Sequence, residues 1–262
     1  MTIRDRAPDQ LPPPPWQRRP RPASRRRRDP ITVDAIVETA LRLLDSDGLD
    51  RLSMRRVADE LDTGAASLYW HVGSKDGLLD LIFDRVIGEH EMPEPQGARW
   101  KEQIKEVARA QRQAILRHRD LIAVSLGRVP MGPNALRFSE GVLAILRAGG
   151  VPDRLAVTGH LLLIATVNGF TLDEVSGPRP DDAQPDDPQP DDPQRGGKEA
   201  SAPPSADAVA GYLASLPADQ FPNLSAVARY FGDDDPDQRF DLLIDLFVEG
   251  LAQRAALAAP PR

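Results

Sequence analysis

Apolar residues recur at intervals of three and four along most of this chain, the spacing that marks one face of an α-helix. The first stripe starts after Thr32, a residue that can cap a helix, and continues to Gly48. The last and clearest stripe runs from about Pro236 to Leu257. No stretch alternates apolar and polar residues as a half-buried β-strand does. The pattern therefore predicts an all-α fold.

Two short helices follow the first one and flank a tight turn. Ser53 is placed to cap the first of them, the turn falls at residues 62–64, and the second covers residues 65–72. Gly73 ends that helix, and Ser74 begins a further one. A short helix, a turn and a second short helix form a helix-turn-helix, whose second helix enters the major groove of DNA. We therefore expect DNA binding in this region.

Longer helices are predicted in the remainder of the chain, with breaks near residues 118–120, 130–133 and 149–152. The segment 155–175 is apolar on nearly every side. A helix of that kind is typically buried both within its own protomer and against a partner. We expect it to form part of a dimer interface.

Two segments have compositions that do not support a packed core. Residues 1–30 contain a proline run and nine Arg, and we expect a disordered Arg/Pro-rich arm that could contact DNA or serve only as a solubilising tail. Residues 177–205 repeat Pro-Asp-Asp three times and contain no aromatic residue. They are predicted to form a disordered acidic loop.

Charge is distributed unevenly along the 262 residues. The nine Arg and three Asp of residues 1–30 give +6, so the overall charge of −7 leaves −13 for the rest of the chain. Any DNA affinity must therefore reside in a local basic surface near the N-terminal end. The chain has no cysteine, which excludes disulfides, thiolate metal ligation and cysteine catalysis.

The chain shows no signal peptide and no run approaching the roughly 18 consecutive apolar residues of a membrane span. We expect a cytoplasmic protein with no membrane association. No cofactor and no metal site are expected either.

Three runs carry a resemblance to a known family: residues 52–61 (LSMRRVADEL), 66–72 (ASLYWHV) and 75–79 (KDGLL). They resemble the DNA-binding domain of the tetracycline-repressor (TetR) family. The resemblance implies a helix-turn-helix domain over residues 31–88. A weaker resemblance to the regulatory domain of the tetracycline-repressor subgroup rests on AILRHRD at 114–120, on GFTL at 169–172 and on the last helix. It implies a helical effector-binding and dimerisation domain over residues 98–258, with a four-helix dimer interface that each protomer builds from 155–175 and 237–257.

The resemblance also implies which residues meet DNA. Arg55 would reach a base edge and Arg56 a phosphate, while Tyr69, His71 and Lys75 would contact the backbone. The full set of candidates is Ser53, Arg55, Arg56, Ala65, Ala66, Ser67, Tyr69, Trp70, His71 and Lys75.

Two points about this set stay open at the level of sequence. Tyr69 and Trp70 could instead fill the core between the short helices. Ala65 and Ala66 differ from the Gln-Pro pair of the tetracycline repressor, so we expect a different operator.

A mostly apolar effector pocket is predicted in the larger domain. Its candidate residues are His90, Leu121, Ser125, Arg128, Leu163, Val167, Asn168 and Phe170. Ordinary core packing would account for most of them equally well, and a lone histidine such as His90 is more often structural. Ser125 and about Gly177 occupy the positions of the magnesium-binding His and Glu of the tetracycline repressor, and neither can replace them. We therefore do not expect a magnesium-tetracycline complex as the effector.

Together these observations predict a homodimeric repressor that binds a palindromic operator and is released by a small molecule. One alternative is an enzyme with His118, Asp120 and Ser125 as a catalytic triad, although capping and ion pairing explain these residues without chemistry. The other is an effector-independent or activating DNA-binding protein.

Overall fold

A computed structural model describes residues 31–125, 128–176, 205–232 and 235–258. Within these ranges the chain forms α-helices and short 3₁₀ turns and contains no β-strand, which confirms the all-α prediction. The helices are α1 (Val33–Asp47), α2 (Met54–Glu60), α3 (Ala65–Val72), α4 (Lys75–Ile87), α5 (Trp100–Arg117), α6 (Leu121–Ser125), α7 (Pro133–Ala148), α8 (Asp153–Ser176), α9 (Ala206–Ala214), α10 (Pro222–Val227) and α11 (Pro236–Ala258).

The predicted arm at 1–30 and all but the last residue of the predicted acidic loop at 177–205 lie outside the described residues. The described residues divide into two compact units. One ends at Leu172 and resumes at Ile244, and the other runs from Asp173 to Leu243. The helix-turn-helix region therefore shares a unit with α5–α7 and most of α8.

Side-chain caps begin the first helices where the sequence predicted them. The hydroxyl of Thr32 accepts a hydrogen bond from the backbone N–H of Ala35 at 3.1 Å, at the start of α1. Ser53 and Ser74 cap α2 and α4 in the same way. Such caps satisfy N–H groups that have no partner within the helix, and each stabilises a helix by about 1 kcal/mol.

Helices α1 to α4 pack around one small apolar core. The turn between α2 and α3 passes through Asp62, which adopts a left-handed φ of 48°. Aspartate tolerates this conformation better than most residues. The core side chains are Ile36, Ala40, Leu44, Leu52, Val57, Leu68, Leu78 and Ile82. They fix the angle between the two helices of the helix-turn-helix.

Helix α4 also packs against α5, α6 and α7, so it belongs to both parts of this unit. The buried carboxylate of Asp84 accepts hydrogen bonds from the backbone N–H groups of Ala135 at 2.9 Å and Asn134 at 3.3 Å. Helix α7 has no capping side chain of its own at Gly132, and Asp84 supplies the cap from a different helix. A Cβ at Gly132 would clash with this carboxylate and displace it from the two N–H groups. Burial raises the pKa of Asp84, although the two N–H groups partly oppose the rise.

Helix α8 is 24 residues long and only partly covered. Its inward face contributes Leu163 and Val167 to the core, while Val157, Leu161 and Leu162 are more than half exposed. By length and composition Asp153–Val175 would also pass as a membrane span, a test that core helices of soluble proteins pass too. The role of this helix at a dimer interface stays a prediction.

The second unit contains two helices that the sequence pattern did not predict, α9 and α10. Helix α9 packs against the 3₁₀ turn Ala228–Phe231, and Ala228 is buried there. Most of the large side chains in this unit, Tyr212, Phe221, Leu224 and Tyr230 among them, are exposed. Short helices with so little buried surface leave only a weak periodic signal in the sequence.

We predict that Asp84→Ala lowers the free energy of unfolding by about 1–3 kcal/mol, because two N–H groups of α7 lose their acceptor. Urea denaturation followed by circular dichroism measures the change. Asp153→Ala is the matched control, since its carboxylate forms an exposed pair with Arg147 and such pairs contribute roughly 0–1 kcal/mol. Equal losses in the two variants would contradict the role given to Asp84.

Candidate functional site

The outer face of α2 presents a cationic side chain to solvent. Arg55 is 90% exposed, and among the described residues the acid that pairs with it is Asp59, 3.9 Å away between Nε and Oδ2. Arg56 differs, because its guanidinium pairs with Asp47 at the end of α1. A phosphate contact by Arg56 would have to share or replace that pair, whereas Arg55 can reach a base edge without losing a strong contact.

Helix α3 divides its side chains between the core and the surface. Leu68 and Val72 are buried, while Tyr69 is 48% and Trp70 43% exposed. The alternative that these two aromatic residues fill the core is therefore wrong. The ring of His71 lies edge-on to Trp70, with 4.6 Å between centroids.

The remaining candidates for DNA contact lie at helix starts on the same stretch of chain. Ala66 is exposed, and Ala65 and Ser67 are half-buried in the first turn of α3. Lys75 is the exposed first residue of α4. The N–H groups at the start of α4 and the Lys75 ammonium favour an anion such as a DNA phosphate.

A cleft lies between α4, α5, α7, α8 and the segment that follows α6. Its cavity volume is about 80 Å³. Sites for small organic molecules usually measure about 300–1,000 Å³, so a bound ligand of that kind would have to widen this cleft. Its walls are formed by Phe83, Ile87, Ala108, Gln111, Ser125, Arg128, Pro130, Ala135, Phe138, Ser139, Leu163, Ile164, Val167 and Asn168.

Five of the eight predicted effector residues line this cleft: Ser125, Arg128, Leu163, Val167 and Asn168. Three do not. Leu121 is buried in the core, and the ring of Phe170 lies under the guanidinium of Arg112. His90 packs its ring against Phe138, one layer behind the cleft wall.

Sequence reasoning missed the part of the wall that α4 and α5 provide. Phe83 and Ile87 lie within residues 31–88, which the sequence assigned to the DNA-binding domain, and their place in the cleft wall is visible only in the fold. Gln111 is buried on α5, and its side-chain oxygen has no hydrogen-bond partner in the described structure. A polar residue on an apolar helix face was the one available signal for it.

Two family models match this chain and cover most of it. The model described as "Bacterial regulatory proteins, tetR family" matches residues 36–82, which hold α2, α3 and most of α1 and α4. The model described as "Tetracyclin repressor-like, C-terminal domain" matches residues 92–255. The chain belongs to the TetR family of transcriptional regulators. This confirms the family that the sequence motifs indicated.

Solved structures and curated relatives agree with the assignment. The crystal structure of apo ActR from Streptomyces coelicolor is 43% identical, has a TM-score of 0.75, and the match covers 89% of this chain and 100% of that one. A complex of ActR with actinorhodin is 44% identical, with a TM-score of 0.73, and the match covers 86% of this chain and 99% of that one.

The transcriptional repressor DrrR1 of Streptomyces coeruleorubidus is 38% identical over 155 residues, which are 59% of this chain. A transcriptional regulator of Saccharopolyspora erythraea is 44% identical over 131 residues, 50% of this chain. The chain spans 57% and 56% of the length of these two curated relatives.

The proposed catalytic triad is not assembled in this TetR-family protein. The two ring nitrogens of His118 each lie 2.8 Å from a carboxylate, that of Asp45 and that of Glu89. Asp120 accepts the backbone N–H of Leu49, and Ser125 donates to the carbonyl of Ile122. These residues connect α1, the end of α4 and the α5–α6 turn, and they provide no activated nucleophile.

Glu89 is the acid shared within this cluster. Burial opposes its ionisation, but hydrogen bonds from Arg117 and His118 outweigh burial and lower the pKa of Glu89. The cluster therefore stabilises the fold above the usual carboxyl range, and that contribution is lost as the pH falls through the lowered pKa.

Two other histidines of this regulator contact the ring of Phe138; His160 is buried and His90 is half-buried. His90 lies edge-on to that ring, with centroids 5.7 Å apart, and the centroid of His160 lies 6.3 Å from it. Both ring nitrogens of His90 and Nδ1 of His160 lack hydrogen-bond partners in the described structure. Burial lowers the pKa of each ring below its usual value of 6.5, so both rings are neutral at pH 7.

We predict that His90 and His160 make the stability of the fold depend on pH. The histidines of the unfolded chain keep the usual pKa and bind protons near pH 6, whereas these two rings in the folded chain do not. Their contribution to stability is therefore present above pH 6.5 and is lost as the pH falls below it. Urea denaturation between pH 7.5 and 5.5 should show a shallower pH dependence for His160→Leu than for the wild type. Identical dependence would contradict the neutral, buried state of His160.

Proposed function

We propose that this TetR-family regulator is a homodimeric repressor that binds a palindromic operator through α2 and α3 and releases it when a small molecule occupies the cleft. The observation that carries the proposal is the composition of the cleft wall. Phe83 and Ile87 on α4 face the same cavity as Leu163 and Val167 on α8. A molecule bound there would touch the helix that packs directly against α1 and α3.

The exposed residues of the helix-turn-helix support the DNA-binding part of the proposal. Arg55 is free to form the two parallel hydrogen bonds by which arginine recognises guanine. Exposed Tyr69 and Lys75 would fix the register through the sugar-phosphate backbone, as would Ser53 and His71. Ala65, Ala66 and Ser67 would add only small contacts, and Trp70 would extend the apolar surface beside them.

Exposed apolar residues support the dimer. Val157, Leu161 and Leu162 of α8 and Leu246 of α11 are each more than half exposed. Helices α8 and α11 approach closely within one protomer, because a Cβ at Gly159 would lie 3.0 Å from Leu251. To read two half-sites in successive major grooves, such a dimer must hold its two α3 helices about 34–36 Å apart, one turn of DNA.

The relatives support repression and release. DrrR1 is a transcriptional repressor, and ActR has been crystallised with actinorhodin and with (S)-DNPA. We therefore propose that an organic compound of comparable kind is the effector of this chain. Its five predicted cleft residues and Gln111 would form most of the polar and apolar contacts.

We predict that Arg55→Ala weakens operator binding by about 1–3 kcal/mol, or roughly 5- to 150-fold, because a base contact is lost. Fluorescence anisotropy with the DNA that flanks this gene measures the affinity of the full chain across a salt series. Arg154→Ala is the matched control, since it removes the same charge from the exposed start of α8.

A single half-site should bind far more weakly than the inverted repeat if the protein acts as a dimer. Weak binding that is indifferent to sequence and unchanged in Arg55→Ala would contradict the operator-binding role. It would favour the effector-independent, architectural alternative.

A further inference from the structure

Among the described residues, Arg128 is the one side chain that both lines the cleft and forms ion pairs with the first turns of α4. Its Nη1 donates to Oδ1 of Asp80 at 2.5 Å and its Nη2 to Oδ1 of Asp76 at 2.9 Å. A further, longer bond joins Nη1 to the backbone oxygen of Asp76 at 3.3 Å. The Arg128 side chain is only 24% exposed. A ligand in the cleft can therefore reach Arg128, and Arg128 connects the cleft wall to α4, which packs against the helix-turn-helix.

The other polar groups of the wall are neutral. Arg128 is the only charged residue among the described residues that line the cleft, which otherwise offers apolar side chains and a few hydroxyl and amide groups. A guanidinium in such a wall recognises a carboxylate or an ionised phenol by paired, charge-assisted hydrogen bonds. The unpartnered Gln111 oxygen is an acceptor, so it suits a hydroxyl group of the same molecule.

The present partners of Arg128 are easily released. Asp76 is 81% and Asp80 46% exposed, so water can solvate each carboxylate once the guanidinium has turned away. Asp76 also lies in the first turn of α4, where the helix dipole continues to stabilise a negative charge. Exchange of one acid for another at Arg128 leaves no buried charge unpaired.

We infer that the effector is an apolar organic acid whose acidic group binds Arg128 in place of Asp76 and Asp80. This inference rests on the proposed effector role of the cleft and adds the chemistry of the ligand and the point at which its binding is transmitted. Loss of both ion pairs releases the first two turns of α4 from the cleft wall. Lys75, which is proposed to contact a phosphate, begins that segment.

Two variants that break the same ion pairs test the inference, because they should change anion affinity in opposite directions. The probes are anthracene-9-carboxylate and its neutral carboxamide, titrated calorimetrically into the full chain. Wild type should bind the carboxylate at least tenfold more tightly than the amide. Asp76→Asn combined with Asp80→Asn removes the competing acids and should tighten carboxylate binding about fivefold or more. Arg128→Gln should abolish the preference for the carboxylate.

Arg147→Gln is the matched control, because it breaks an exposed arginine–aspartate pair elsewhere in the fold and should leave both affinities unchanged. Equal binding of carboxylate and amide to the wild type would overturn the inference. So would a change in the same direction in both variants, which is what a purely structural ion pair predicts.

Operator binding, measured on the same samples, separates the two proposals. Intact, palindrome-dependent DNA binding with no binding of the carboxylate would refute the organic-acid effector and leave the repressor standing. If the wild type bound DNA without preference for sequence, the proposed repressor function itself would be refuted. The Asp76→Asn, Asp80→Asn variant keeps the test independent of whether Arg128→Gln folds.

Discussion

Helix α4 is the structural constraint on which the rest of this regulator depends, because it is buried on two sides by two different sets of helices. On one side it closes the core of α1 to α3, and on the other it packs against α5, α6 and α7. The carboxylate of Asp84 ties it to the start of α7, where a side chain at residue 132 would displace that carboxylate. The helix cannot move on one side without disturbing the other.

This arrangement explains how modest energies can control DNA binding. Coupling between an effector and its operator typically amounts to about 1–3 kcal/mol. One or two polar contacts contribute on that scale, such as the pairs that Arg128 forms with α4. A ligand therefore need not reshape the fold. It needs only to bind the protein more tightly with α4 in one arrangement than in another, by that free energy.

The sequence was most informative where structure is set by neighbouring residues. The caps at Thr32, Ser53 and Ser74 and the breaks before α6, α7 and α8 depend on local hydrogen bonds and on glycine and proline, and the pattern located them. The family motif added what periodicity left open, that Tyr69 faces outward.

Contacts between distant segments were not predictable in the same way. Nothing in the sequence around Asp84 shows that it caps a helix some fifty residues later, and Arg128 could be assigned to the cleft but not to its partners on α4. Two of the three effector residues that were placed wrongly, Leu121 and Phe170, are apolar. The sequence pattern of an apolar residue is the same whether its side chain contacts a ligand or the core. His90 was predicted to line the cleft, but it packs against Phe138, which forms the cleft wall.

The central claim, that helix α4 belongs both to the cleft and to the DNA-binding region, is tested most directly by thermodynamic linkage in the wild-type chain. The affinity for anthracene-9-carboxylate is measured with and without operator DNA, and the affinity for DNA with and without the compound. The account predicts that each weakens the other by the same factor, roughly 5- to 150-fold. Binding of the carboxylate that leaves operator affinity unchanged would contradict it.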